Sequence, residues 1–396
     1  MISTKIKEKA SQYFEKIQKI RHHLHMNPEL SFQEANTGKY IASVLDELGI
    51  EYTAGWCDHG IVAIIKGEQS SDKVIMLRAD IDALPISEEN QVDYKSQNNG
   101  VMHACGHDVH TSCLLGAIHI LKDLKSDFGG TIKCIFQPGE EQLPGGASIM
   151  IKEGVLENPT PTSVLGQHVH PPLAVGKVGY RSGMYMASAD EIRITVKGKG
   201  GHGALPHNCV DTVLMSARIL TALQDVVARN TNPNIPAVLS FGKINSVGGA
   251  TNIIPDTVKI EGTFRTMNEE WRMEAHKHIK RIAEKTAESM GGTCDVDIMV
   301  GYPCLVNEPV LTTRTHAHMI EFMGEENVVE LPIRLTAEDF SYYSQQADAC
   351  FYRLGTGNID KGITSAVHTP TFDVDEHALE IGMGLMAYLA LRELDE

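Results

Sequence analysis

Between residues 183 and 302 the apolar pattern runs in one order: strand, helix, two strands, helix, strand. "ADEIRITVKG" alternates apolar and polar residues, and "DTVLMSARILTALQDVVAR" repeats at helical spacing. "AVLSFGKINS" and "DTVKIEGTFRTM" alternate again, "EEWRMEAHKHIKRIAEKTAESM" is helical, and "TCDVDIMV" closes as a strand. A βαββαβ succession predicts a ferredoxin-like unit. The flanking sequence has another rhythm. "GIVAIIKG" (60–67), "KVIMLRAD" (73–80), "TIKCIFQ" (131–137) and "TSVLGQHV" (162–169) read as strands, with "TSCLLGAIHILKDL" (111–124) as a helix. Beyond 302, "DACFYRLGTG" (348–357) reads as a strand and "DEHALEIGMGLMAYLALREL" as a closing helix. The expected fold class is α/β: a domain with a central mixed sheet, built from 1–182 and 303–396, interrupted by an inserted βαββαβ domain at 183–302.

Charge narrows the function. The formal net charge is −16, which argues against nucleic acid as a partner, since phosphate neutralisation needs a basic face. No apolar run reaches the ~18 residues of a membrane span. The start, "MISTKIKEKASQYFEKIQKIRHHLH", lacks the apolar core of an export signal and reads as an amphipathic helix with Ile6, Tyr13, Phe14, Ile17 and Ile20 near one face. Eight scattered cysteines, in a chain without such a signal, are expected to be reduced thiols in a cytoplasmic protein.

Ligand-type residues collect at strand ends. Asp80 and Asp82 end one strand, Glu140 and Glu141 follow another through a Pro-Gly turn, and His168 and His170 end a third. Open α/β sheets gather ligands beyond the carboxyl ends of their strands. "VMHACGHDVH" (101–110) adds Cys105 and His107, spaced i, i+2, in a segment expected to turn rather than to lie on one helix face. Thiolate, imidazole and carboxylate together can hold Zn, Mn, Co or Ni. His103 and His110 are expected to be hydrogen-bonded rather than ligating. By chemistry alone the Cys105–His107 pair is balanced between a metal site and a polar loop. "GKGGHGALPH" (198–207) contains G-x-G-x-x-G, but Pro206 and a long following helix argue against a dinucleotide loop.

Several stretches together resemble a known family. They are "RHHLHMNPELSFQE" (21–34), "LRADIDALPI" (77–86), "MHACGHD" (102–108), "IFQPGEE" (135–141), "GQHVHP" (166–171), "GGHGALPH" (200–207), "TNIIPD" (251–256), "EDFSYY" (338–343) and "HTPTFDVDE" (368–376). In this order they resemble the metal-dependent amidohydrolases that include hippurate hydrolase, N-acetyl-diaminopimelate deacetylase and indole-acetyl-amino-acid hydrolase. The resemblance implies a metallopeptidase-type catalytic domain and an inserted lid that also forms a dimer or higher homo-oligomer. It implies two divalent metal ions held by Cys105, His107, Glu141, His168 and His368, with Cys105 bridging. Glu140 is the implied general base and acid. Asp80 and Asp82 are expected behind the ligands. His202 and Asn252 match residues that approach the active site, commonly from the partner subunit.

The expected reaction is hydrolysis of the amide bond of an N-acyl amino acid. His202 would stabilise the oxyanion, while Asn252, together with Arg265, would hold the substrate carboxylate. A carboxypeptidase or dipeptidase acting on small peptides is the alternative within the same chemistry. Two readings from other classes stay open: an amidase with Cys105 as nucleophile, and a non-catalytic binding module.

Overall fold

The computed structural model describes residues 2–396. In chain order the first elements are α1 (Ile2–Met26), α2 (Ala35–Leu48), β1 (Glu51–Trp56), β2 (Gly60–Lys66), β3 (Gln69–Asp80), α3 (His107–Asp123), β4 (Gly129–Gln137), α4 (Gly146–Lys152), β5 (Ser163–Ala174) and β6 (Val178–Tyr180). Next come β7 (Gly183–Met186), β8 (Asp190–Lys197), β9 (Gly201–His202), α5 (Thr212–Asp225), β10 (Ala237–Val247), β11 (Ile253–Ile254), β12 (Thr257–Thr266), α6 (Glu269–Ser289) and β13 (Thr293–Val300). The chain closes with β14 (Leu305–Asn307), α7 (Pro309–Met323), β15 (Val328–Glu330), α8 (Ser341–Ser344), β16 (Ala349–Gly357) and α9 (His377–Asp395).

Two compact units result. One takes in the chain up to Met184, Val306–Ile333 and Asp339–Glu396; the other is Tyr185–Leu305 with Arg334–Glu338. The short Arg334–Glu338 segment goes with the inserted unit because Arg334 N donates to Tyr185 O at 2.9 Å, and Ala187 N to Arg334 O at 3.0 Å.

The larger unit is built on an eight-stranded sheet of order β1-β2-β4-β3-β5-β16-β6-β15. Its centre, β4-β3-β5-β16, is parallel, and β1, β2 and β6 make it mixed. Parallel neighbours align the carboxyl ends of β3, β4 and β5 along one edge, which is where the sequence clusters lie. Helices α1, α3 and α9 pack on one another, and α3 and α9 pack onto β3. Helix α3 is buried from His107 to Leu121, which explains why its sequence is apolar around the whole circumference and not on one stripe. Ile6, Ile17 and Ile20 of α1 are buried, with Tyr13 and Phe14 packed partly against the same core.

The inserted unit is an antiparallel sheet of order β10-β12-β8-β13 with α5 and α6. That is the strand order of a ferredoxin-like fold. Its separate core includes Ile192, Ile194, Met215, Ile219, Phe264, Ala275 and Ile279. Asp211 caps α5 by accepting from Val213 N and Leu214 N, satisfying two amides the helix cannot pair itself.

Candidate metal centre

Helix α3 begins four residues earlier than its apolar pattern suggests, so His107 is its first residue. Gly106 sets that start. Its φ of +82° places it in the left-handed region, and a Cβ there would lie 2.6 Å from Val169 Cγ2. The sharp turn separates Cys105 from His107 in direction while keeping both at the helix N-terminus. Gly106→Ala is expected to cost about 1–3 kcal/mol from backbone strain alone, and to lower metal content. Urea unfolding and metal analysis of the purified variant test both.

The structure brings the five sequence-selected donors together. Cys105 Sγ lies 3.5 Å from His168 Nε2 and 3.3 Å from His368 Nε2. His368 Nε2 is 3.2 Å from Glu141 Oε1, and His107 Nε2 is 3.9 Å from the same oxygen. Among the described residues the donors form two triads that share the sulfur: Cys105–His107–His168 and Cys105–Glu141–His368, each with its ligand atoms within 4.8 Å of one another. Glu140 joins His107 and Glu141 in a third group of the same span.

Each donor is aimed by a neighbour. His107 Nδ1 sits 3.0 Å from Asp82 Oδ1, which leaves Nε2 facing the cluster. Asp82 Oδ2 accepts from Glu141 N at 2.9 Å and from Ser31 Oγ at 2.6 Å. His168 Nδ1 is 2.8 Å from Val169 O, so its Nε2 is again the free ring nitrogen. His368 adopts φ +63°, a conformation a side chain of this size rarely takes, and its N–H is held by Ala104 O at 2.8 Å. Such strain gathers where surrounding structure dictates a functional geometry. Asp339 braces the Glu140 turn: its Oδ2 accepts from Ala147 N at 3.0 Å, and its own N–H approaches Glu140 Oε1 at 3.4 Å. Asp80 is tied to His110 and Arg78. His110 Nε2 accepts from Val169 N at 2.9 Å, so this histidine fastens α3 to β5. His103 is buried with neither ring nitrogen hydrogen-bonded.

The set suits divalent cations. His107 Nε2 is buried without a hydrogen-bond partner, which is costly for a polar atom unless something is meant to bind there. Burial raises the Cys105 pKa well above its usual value, and Glu141, Glu140 and Asp80 push the same way. A thiolate at this point needs compensating positive charge, which divalent cations held by these residues would supply. Burial and nearby Arg353 hold His168 neutral, the form that ligates.

His202 and Asn252 lie side by side in the inserted unit. His202 on β9 pairs with Ile253 of β11, and Gly203 N donates to Asn252 O at 2.8 Å. The His202 ring is exposed and its Nδ1 accepts from Ala204 N at 3.1 Å. Arg265, on β12, lines a groove of about 460 Å³ with Arg193, Lys243 and Glu261.

Sequence reasoning missed a network behind the ligands. Arg21, fully buried, donates from Nε to Asp108 at 2.8 Å, and reaches Asp373 and Glu376 at 3.1 Å each. His25 Nδ1 lies 2.8 Å from Asp108 Oδ2. The crowding of Arg and His in "RHHLH" on an otherwise apolar helix face was the available signal.

A Cys/His/Glu cluster at the carboxyl ends of a parallel sheet, buried at Cys105, His107 and His168 and open to solvent at His368, has the make-up of a metal centre. The profile of "Peptidase family M20/M25/M40" matches residues 76–392, and the chain belongs to that family. It is 40% identical to the N-acetyl-L-cysteine deacetylase of Bacillus subtilis over 364 residues, 91% of this chain and 84% of that protein. It is 39% identical to thermostable carboxypeptidase 2 of Saccharolobus solfataricus over 391 residues, 98% of each. Among solved structures it is similar to a dinuclear metal binding peptidase of the M20 family from Bacillus subtilis, with a TM-score of 0.85, 32% identity, and coverage of 97% of this chain and 99% of that one. The expected α/β fold and the amide-hydrolase class are thereby borne out.

Proposed function

We propose that the protein hydrolyses the amide bond of N-acyl amino acids at a two-cation centre held by Cys105, His107, Glu141, His168 and His368. One observation carries the reading: two donor triads share a single sulfur, with the Glu140 carboxylate beside them. Bound cations would supply Lewis-acid polarisation of the acyl carbonyl and a more acidic water. Glu140 takes the proton of that water on its carboxylate and returns it to the departing amine nitrogen. Asp82 and Val169 O orient the two imidazoles. His202 donates to the developing oxyanion, and Asn252 with Arg265 receives the substrate carboxylate.

The deacetylase and carboxypeptidase relatives name two substrate types, and both present a carboxylate next to the scissile amide. A panel of N-acetyl and N-benzoyl amino acids against dipeptides ranks them. Faster turnover of the acyl compounds is expected, and turnover of dipeptides alone would replace the proposal by a peptidase. The raised Cys105 pKa opposes a free-thiol nucleophile. Accordingly, chelation should abolish activity and added Zn, Mn, Co or Ni should restore it; chelator-resistant, alkylation-sensitive activity would point to the thiol amidase.

A homodimer through the inserted unit is part of the proposal. Strand β10 is a sheet edge, and Ile244 and Val247 on it are exposed, as are Val213 and Leu214 on α5. An open edge flanked by apolar side chains invites pairing with a second copy. All eight cysteines are free, which suits the reducing cytoplasm proposed as its location. Among the described residues no helix is long and apolar enough to cross a membrane.

A further inference from the structure

Glu34 is buried beneath the turn that carries Glu140 and Glu141, and it takes no part in the donor set. Its Oε1 accepts from Gly139 N at 2.8 Å. Its Oε2 is buried and has no hydrogen-bond partner. A buried carboxyl group with one oxygen unpaired is a poor choice for stability alone. The turn it holds is tightly specified. Gly139 has φ +63°, and a Cβ on it would fall 2.3 Å from Phe32 Cε1. Phe32 itself has φ +63°, so the ring and the carboxylate reach the turn from two sides of one strained segment. Gly139 O in turn accepts from Gly146 N at 3.0 Å. The same segment lies along the Asp82 strand end. Ala83 N donates to Glu29 O at 2.8 Å and Ser31 Oγ to Asp82 Oδ2 at 2.6 Å.

We infer that Glu34 is a positioning residue for the reaction: its Oε1 fixes the Gly139 amide and so sets where the Glu140 carboxylate stands relative to the donor triads. This rests on Glu140 being the proton carrier proposed above. The function asked of Glu34 is that of an acceptor at one point in space, and it needs no charge. Burial, with Asp82 nearby, raises its pKa to about 7, so a neutral acceptor is close to its natural state at neutral pH.

Reach and charge can be separated. Glu34→Gln keeps an oxygen at the same reach, whereas Glu34→Asp keeps the ionisable carboxyl group but withdraws it by about 1.5 Å, one C–C bond. The expected result is that Glu34→Gln retains kcat within about threefold. Glu34→Asp is expected to lose roughly tenfold to a hundredfold in kcat, the penalty of a misplacement near 1 Å, with KM, metal content and unfolding midpoint unchanged. The reverse order, an active Asp variant and a dead Gln variant, overturns the inference in favour of a role for charge. Equal activity of both with the parent overturns it as well. Should Glu34→Asp not fold, Phe32→Ala removes the ring braced on Gly139 and is expected to show the same fall in kcat at constant KM; an unchanged kcat there also overturns it. Glu140→Gln assayed alongside separates the two readings. If that variant stays active the proton-carrier reading fails, and if it is dead while Glu34→Asp runs at the parent rate only the positioning inference fails.

Discussion

Glu140→Gln is expected to lower kcat by about 10²–10⁴-fold, the range a positioned general base contributes, while metal content, fold and substrate affinity stay near those of the parent. Glutamine preserves the shape and one acceptor oxygen, so the contact with Asp339 N can persist. It cannot accept the water's proton at neutral pH. Glu141, next in sequence, already faces His368 and has its amide held by Asp82, so the neighbour is poorly placed to take over. Steady-state kinetics with metal analysis on the same preparation decides the matter: an unchanged kcat would remove Glu140 from the mechanism.

Arg21→Met is expected to destabilise the protein by about 3–5 kcal/mol, because it strands buried carboxylates that have lost their cation. Asp108 suffers most: its side chain is fully buried and Arg21 Nε is its nearest cationic partner with His25. Burial alone would raise the Asp108 pKa, but Arg21 and His25 overcome it and hold the carboxyl well below the usual carboxylate range. A depressed folded-state pKa contributes stability that is present above the unfolded value of ~3.9 and is lost as pH falls through the folded one. The parent should therefore lose stability steeply below about pH 4, and the variant, starting lower, should show a shallower slope there. Urea unfolding between pH 3 and 7 measures both. A parental slope in Arg21→Met would show that the network contributes nothing to acid sensitivity.

The βαββαβ order of the inserted unit was legible from its apolar period, as were β2, β3, β4, β5 and β16 of the larger one; its short or exposed elements such as β1, α4 and β15 were not. The alternation of β8, β10 and β12 and the helical spacing of α5 and α6 are local signals. The strand ends made a cluster near Asp82, Glu141 and His168 legible, because a parallel sheet brings them side by side; the five-donor set itself came from the resemblance. The beginning of α3 was not legible, since His107 and Asp108 are polar, and only the left-handed turn at Gly106 reveals the helix start. The Arg21 network was hidden by distance, its partners Asp108 and Asp373 lying 87 and 352 residues away along the chain. Nor does an apolar period disclose that Glu34 turns inward to meet Gly139.

The spacing of the donors along the polypeptide has a consequence for biogenesis. Cys105, His107, Glu141 and His168 leave the ribosome before the inserted unit has been synthesised, and His368 emerges only after it. One triad is thus complete on a nascent chain while the other still lacks its last member. The complete donor set therefore exists only once translation has run past His368, almost to the end of the chain.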